Sequence, residues 1–222
     1  MSGRDCDLLV FVTGTGTEIG KTWWGSALAT ELRARGVAVA ARKPAQSFAP
    51  NDAHTDADVL ARATGERPDD VCPPHRWYPV PLAPPMAADA LGRPSFTVAE
   101  LAGETRWPGR PGVVLVEGAG GPRSPIADDG DNVDLARALQ VDHVVLVADA
   151  ELGTINAVRL CVEALAPLPV TVALNRYTAA DELHERNRSW LAERARLDVV
   201  TAPDALADAL VTRAQRRAGR PG

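Results

Sequence analysis

Short blocks of consecutive apolar residues alternate along the chain with longer stretches whose apolar positions recur every three or four residues. The blocks are 8–12, 37–41, 112–116, 144–148 and 170–174, with a weaker pair at 199–200. Blocks that are apolar at every position predict strands buried on both faces of a parallel sheet. The periodic stretches predict helices over 23–35, 56–64, 85–91, 98–104, 132–139, 155–165, 181–196 and 203–217. Thr55 stands where an N-cap is expected, and Gly36 and Gly65 where helices should stop. Residues 66–85 are rich in proline and carry no long period, so they read as a loop. Such a loop in an α/β chain is more often functional than idle. The tail, 216–222, reads as frayed.

Strands alternating with helices imply an α/β fold, a mainly parallel sheet with helices on both faces. No internal repeat or composition break divides the chain, so 1–222 reads as one domain. Ligands of such sheets sit beyond the carboxyl ends of the strands. Gly14, Lys43, Glu117, Asp149 and Asn175 all fall just after a predicted strand.

The first of these positions opens a loop, Gly14-Thr15-Gly16-Thr17-Glu18-Ile19-Gly20-Lys21-Thr22. Counting back from Gly20-Lys21, the first glycine of a G-x-x-x-x-G-K-T phosphate loop should fall at Thr15. Gly14 lies one position earlier, so the loop is one residue longer than the commonest form. Its chemistry still suits a nucleotide triphosphate. Glycines let backbone N–H groups face phosphate, a helix start adds its dipole, Lys21 reaches the terminal phosphates and Thr22 can ligate Mg²⁺. Gly16, Thr17, Glu18, Ile19 and Gly20 complete the nucleotide-binding candidates. Glu117, which ends a buried strand before Gly118-Ala119-Gly120-Gly121, is a second metal candidate. Asp56 and Asp58 open a helix two residues apart, and only one of them can reach the same metal.

Composition sharpens one residue. Of the 24 basic residues, only Lys21 and Lys43 are lysine. A compact ammonium on a slim stem fits where a planar guanidinium does not, which marks Lys43 beside Lys21 as functional. A net charge of −5 argues against a general nucleic-acid binder. No apolar run approaches the length of a membrane span, no secretion signal precedes the first strand, and three scattered cysteines suggest neither a disulfide framework nor a zinc site. A cytoplasmic location is the expectation. The four histidines share no ligand spacing and read as surface or loop residues. A P-loop switch or partitioning protein is the alternative from a different class. Many such proteins carry a second lysine early in the loop, where this chain has Thr15 and Gly16.

The chain resembles the ATP-dependent dethiobiotin synthetase family. The resemblance rests on the glycine loop with Val12-Thr13 before it, on Lys43-Pro44-Ala45-Gln46-Ser47, Asp56, and Tyr78-Pro79 with Ala83-Pro84-Pro85-Met86. It continues through Val116-Glu117-Gly118-Ala119-Gly120-Gly121 and Leu152-Gly153-Thr154-Ile155-Asn156. The longer phosphate loop is a family trait. The resemblance implies an ATP-dependent ligase that carboxylates 7,8-diaminononanoate with CO₂ and closes a ureido ring through a carbamic–phosphoric anhydride. It implies that Lys43 stabilises carbamate and anhydride, and that Lys21 holds the β- and γ-phosphates. It further implies that Thr22, Asp56 and Glu117 hold Mg²⁺, while Glu18 and Ser47 place phosphate and carbamate. Gly118, Gly120 and Asn175 would contact the nucleotide. Gly153, Thr154, Ile155 and Asn156 would catch the substrate carboxylate across a homodimer interface. Phe48, Pro122-Arg123, Ala157 and Trp23-Trp24 depart from the usual family pattern, as does Thr201-Ala202-Pro203-Asp204. Phe48 and Arg123 would border the substrate and keep a related ligase acting on another amine open, while the Thr201–Asp204 departure leaves the nucleotide base open.

Overall fold

Six strands assemble into one sheet in a computed structural model that describes residues 6–107 and 109–218. They are β1 (Leu8–Gly14), β2 (Val39–Arg42), β5 (Val113–Glu117), β8 (His143–Asp149), β9 (Val170–Asn175) and β10 (Asp198–Val200). Their order is β10-β9-β8-β1-β5-β2, and every neighbouring pair is parallel. The helices between them are α1 (Lys21–Ala34), α2 (Asp56–Thr64), α3 (Pro68–Val71), α4 (Pro84–Ala90), α5 (Val98–Glu104), α6 (Asn132–Ala138), α7 (Thr154–Leu165), α8 (Glu182–Ser189) and α9 (Pro203–Ala218). From β1 the chain first builds toward β2, filling β5 between them. It then crosses back and adds β8, β9 and β10 on the other side. The reversal lies beside β1, where an open α/β sheet forms its binding crevice.

Side-chain parity explains the unbroken apolar runs. Leu8, Val10 and Val12 of β1 pack with Trp24, Leu28 and Leu32 of α1 and Leu206 and Leu210 of α9. Leu9 and Phe11 point the other way, toward Leu101, Leu135, Val158 and Leu165 of α5, α6 and α7. Because successive side chains leave opposite faces, both parities must be apolar when helices cover both faces.

Most elements fall within a residue or two of expectation, and five results differ. The 66–85 segment is not an unstructured loop. It holds α3, a 3₁₀ turn at Pro74–Arg76 and a two-residue strand, β4 (Trp77–Tyr78), that pairs with β3 (Gln46–Ser47). A hairpin, β6 (Pro125–Ala127) with β7 (Gly130–Asp131), precedes α6. The stretch 181–196 divides, with α8 ending at Ser189 and a π turn over Trp190–Arg194. His143 and His184 are buried, at 1% and 6% exposure, rather than on the surface. His143 opens β8 and bonds Thr171 Oγ1 at 2.9 Å, and His184 accepts from the Thr178 N–H. Of the tail expected to fray, residues up to 218 belong to α9 and 219–222 lie outside the described residues.

Candidate active site

The loop after β1 wraps its own lysine. Glu18 (φ 57°) and Gly20 (φ 95°) take left-handed conformations that turn the chain into α1. The Asn175 amide, arriving at the end of β9, donates to Ile19 O at 3.0 Å. A Cβ on Gly20 would come within 2.1 Å of that amide nitrogen, so glycine is required there twice over. Arg176 Nη2 also reaches Glu18 O, at 3.3 Å. Asn175 therefore braces the loop with its amide donor. Lys21 Nζ donates to Gly16 O at 2.9 Å, across the mouth of the loop. Burial, and then the charge on Lys43, hold its pKa below the usual lysine value.

Lys43 follows β2, two strands away. The residue is 2% exposed, and its ammonium sits 2.7 Å from Asp56 Oδ2, 2.6 Å from Glu117 Oε1 and 3.0 Å from Gly118 O. Burial opposes its charge, but Asp56 and Glu117 outweigh burial and hold the ammonium above the ordinary lysine range. Asp56 is pressed upward by burial, yet Lys43 prevails and keeps its carboxylate below the usual range. At Glu117 burial raises the pKa, with Lys43 opposing it. Lys43 and Asp56 are thereby favoured in their charged forms, whereas burial works against the charge of Glu117.

Local chemistry sets each partner. Thr55 and Asp58 close a capping box, so Asp58 is consumed at the helix start and Asp56 alone points to the cluster. Gln46 Oε1 accepts from Ala57 N at 3.0 Å and ties that helix start to β3. Asn132 opens α6 behind the Gly118–Gly121 turn. Its amide donates to the carbonyls of Ala119 and Gly121, and its oxygen accepts from Ala119 N. A Cβ on Gly118 would meet that oxygen at 2.3 Å. Neither Gln46 nor Asn132 stood out as a site residue in the sequence. The only signal was an amide side chain next to each motif.

Thr22 Oγ1 lies 2.7 Å from Asp56 Oδ1 and 2.9 Å from Glu117 Oε1. One hydroxyl proton serves a single carboxylate at a time, and Glu117 Oε2 is buried with no hydrogen-bond partner. The donor set is hard oxygen with surplus acceptor capacity, which fits Mg²⁺. Among the described residues no three His, Cys, Asp or Glu side chains gather as a self-sufficient metal cage. A nucleotide-bound Mg²⁺ needs only one or two carboxylates beside phosphate and water.

These residues open onto a cleft of about 690 Å³ lined by Thr17, Glu18, Gly20, Lys21, Thr22, Lys43, Ser47, Asp56 and Gly120. Of the expected site residues, Gly16, Ile19, Glu117, Gly118 and Asn175 do not line this cleft, although Glu117 and Gly118 contact Lys43 behind it. Gly153, Thr154, Ile155 and Asn156 do not line it. They form the start of α7, where Thr154 Oγ1 donates to Asp149 O at 2.7 Å. Asn156 borders a different cavity of about 480 Å³ with Arg159, Leu160, Glu163 and Leu197.

Residues 9–203 match the family described as an AAA domain. The chain is 39% identical over 165 residues to the ATP-dependent dethiobiotin synthetase BioD of Corynebacterium efficiens, covering 74% of this chain and 72% of that one. It is 42% identical over 172 residues to the enzyme of the same name from Caulobacter vibrioides, covering 74% and 76%. Among solved structures, a putative plasmid partition protein of Borrelia burgdorferi bound to AMPPNP aligns with a TM-score of 0.57 at 8% identity, over 95% of this chain and 98% of that one. The MinC:MinD cell division protein complex of Aquifex aeolicus aligns with a TM-score of 0.51 at 14% identity, over 97% of each chain. At such identities the structures bear on the fold alone, and they agree with a parallel P-loop sheet. The two BioD relatives carry the assignment: this chain belongs to the ATP-dependent dethiobiotin synthetase family.

Proposed function

We propose that the chain, as one nucleotide-binding ligase domain, makes dethiobiotin from 7,8-diaminononanoate, CO₂ and ATP. The observation that carries this reading is Lys43. One of only two lysines in the chain, it is buried at the floor of the phosphate-loop cleft and held charged by two carboxylates.

One amine of the diamine takes up CO₂ as a carbamate. A carbamate oxygen attacks the γ-phosphorus and ADP leaves, giving a carbamic–phosphoric anhydride. The second amine attacks the anhydride carbonyl, the ureido ring closes and phosphate departs. Each step concentrates negative charge near the transferring phosphoryl group, so fixed cations supply most of the stabilisation. Lys21 serves the β- and γ-phosphates. Lys43, kept protonated, serves carbamate and anhydride as a fixed charge and not as a proton acceptor. Thr22, Asp56 and Glu117 would hold Mg²⁺, which when bound neutralises phosphate charge as a Lewis acid. Glu18 and the backbone of Gly16, Thr17, Ile19 and Gly20 orient the triphosphate, Gly118 and Gly120 allow close approach, and Ser47 places the carbamate. Asn175 acts on the nucleotide through the loop it braces.

The same reading makes the working unit a cytoplasmic homodimer in which Gly153, Thr154, Ile155 and Asn156 receive the substrate carboxylate bound to the partner. Leu152 (87% exposed), Leu160 and Trp190, which leave apolar surface around α7, support that contact. No helix among the described residues is long and apolar enough to cross a membrane. The reading is tested by supplying ¹³C-bicarbonate with Mg-ATP and the diamine. Label should enter the ureido carbon only when all three are present. Label-free product, or label incorporation without ATP, would refute it.

A further inference from the structure

The cleft lining is part charged and part apolar. Lys21, Lys43, Asp56, Glu18 and Asp52 supply its charges, and Trp23, Phe48, Pro81 and Leu82 supply an apolar wall. Trp23 is 55% exposed and Leu82 39%. Single exposed apolar residues carry little information, but here four border one cleft.

The wall is built, not loose. The Phe48 N–H donates to Tyr78 O at 3.0 Å, which extends the β3–β4 pairing by one residue. The Phe48 ring meets Trp77 edge-on at 6.3 Å and 86°. Trp77 is itself anchored through Nε1 to Cys72 O at 2.8 Å. From Tyr78 the chain makes two tight turns, Val80 N to Tyr78 O and Leu82 N to Val80 O, both 2.8 Å, which present Leu82 at the rim. Phe48 follows Ser47 directly, so this wall begins one residue from the group assigned to the carbamate. A molecule filling the cleft meets the two lysines on one part of its surface and Phe48 on another.

We propose that Phe48, Leu82 and Trp23 are specificity-determining residues that grip the aliphatic chain of the amine substrate. The site thereby selects vicinal diamines by the length of their alkyl chain. The proposal rests on the ligase reading above and adds to it the part of the substrate that is measured. Each methylene laid on the wall should improve kcat/KM roughly fourfold, from the free energy of burying one methylene.

The test is a series of vicinal diamines of increasing chain length, with and without a terminal carboxylate, assayed at saturating Mg-ATP and bicarbonate. In the unaltered protein kcat/KM should climb with each added carbon, mostly through KM. In Phe48→Ala, and separately in Leu82→Ala, the climb should flatten to about twofold or less per carbon. Mg-ADP affinity, read on the same variants, should hold and reports that the phosphate loop is folded. An unchanged slope in both variants overturns the proposal. So does a slope already flat in the unaltered protein, or a loss confined to Mg-ADP affinity, which would place the nucleotide base on this wall. If no diamine stimulates phosphate release in the unaltered protein, the ligase reading fails and this proposal fails with it.

Discussion

The two ends of the central sheet bury polar side chains in opposite ways. At the carboxyl end, Lys43, Asp56, Glu117 and Thr22 form a cluster around an ammonium that keeps its charge. At the amino end, the starts of β8, β9 and β10 bring together His143, Thr171 and Asp198, Thr171 being the second residue of its strand. Thr171 Oγ1 bonds His143 Nε2 at 2.9 Å and donates to Asp198 Oδ2 at 2.6 Å. Here the ring is kept neutral. Burial foremost, then the charge of Arg213, push the His143 pKa down to about 4 despite the opposing pull of Asp198. The central cation or ring is buried at both ends, with Lys43 2% and His143 1% exposed. The difference lies in the partners, since Lys43 meets two carboxylates at contact distance, whereas His143 touches only a hydroxyl. One end of the sheet can therefore stabilise a developing anion, and the other can only hold strands together.

That contrast can be broken most forcefully at Lys43. Lys43→Arg preserves charge but not shape, because a planar guanidinium cannot occupy the point between Asp56, Glu117 and Gly118 O. Turnover should fall by roughly 10³-fold, about 4 kcal/mol on the barrier, while Mg-ADP still binds. Steady-state kinetics beside nucleotide titration checks this. Unchanged turnover would show that the ammonium's geometry is incidental.

At the amino end the expected effect is on stability. The folded His143 pKa lies below the unfolded value, so protons bind the unfolded chain more readily. Stability is whole above about pH 6.5 and is lost as pH falls toward about 4, by about 3 kcal/mol from this group. Urea unfolding at neutral and mildly acidic pH should show a shallower acid slope in His143→Leu than in the parent, with kcat at neutral pH unchanged. An equal slope in both would remove His143 from the account. A large change in kcat would mean the two ends are not separate.

The sequence made these two ends unequally visible. β1, its glycine loop and α1 were legible because an apolar run followed by a glycine-rich turn leaves few other local structures, and Lys21 came with them. Lys43 stood out through the scarcity of lysine, and Asp56 through Thr55 beside it, although choosing it over Asp58 required the capping box. His143 was not legible. It differs from a surface histidine only through Thr171 and the covering of β8, which are set by strand order. The pairing of β3 with β4 was hidden for a similar reason: two residues on each side leave no period, and they lie about thirty positions apart in the chain. The amide groups of Gln46 and Asn132 were in plain view, but their targets are backbone atoms located only once the helices are placed.

The central claim is that the charged end of the sheet couples ATP cleavage to carboxylation of a diamine. Phosphate release by the purified protein in Mg-ATP and bicarbonate, with and without 7,8-diaminononanoate, tests it most directly. The account predicts that release depends on the diamine and that one phosphate appears for each ureido ring closed. Release at the same rate without the diamine would contradict it.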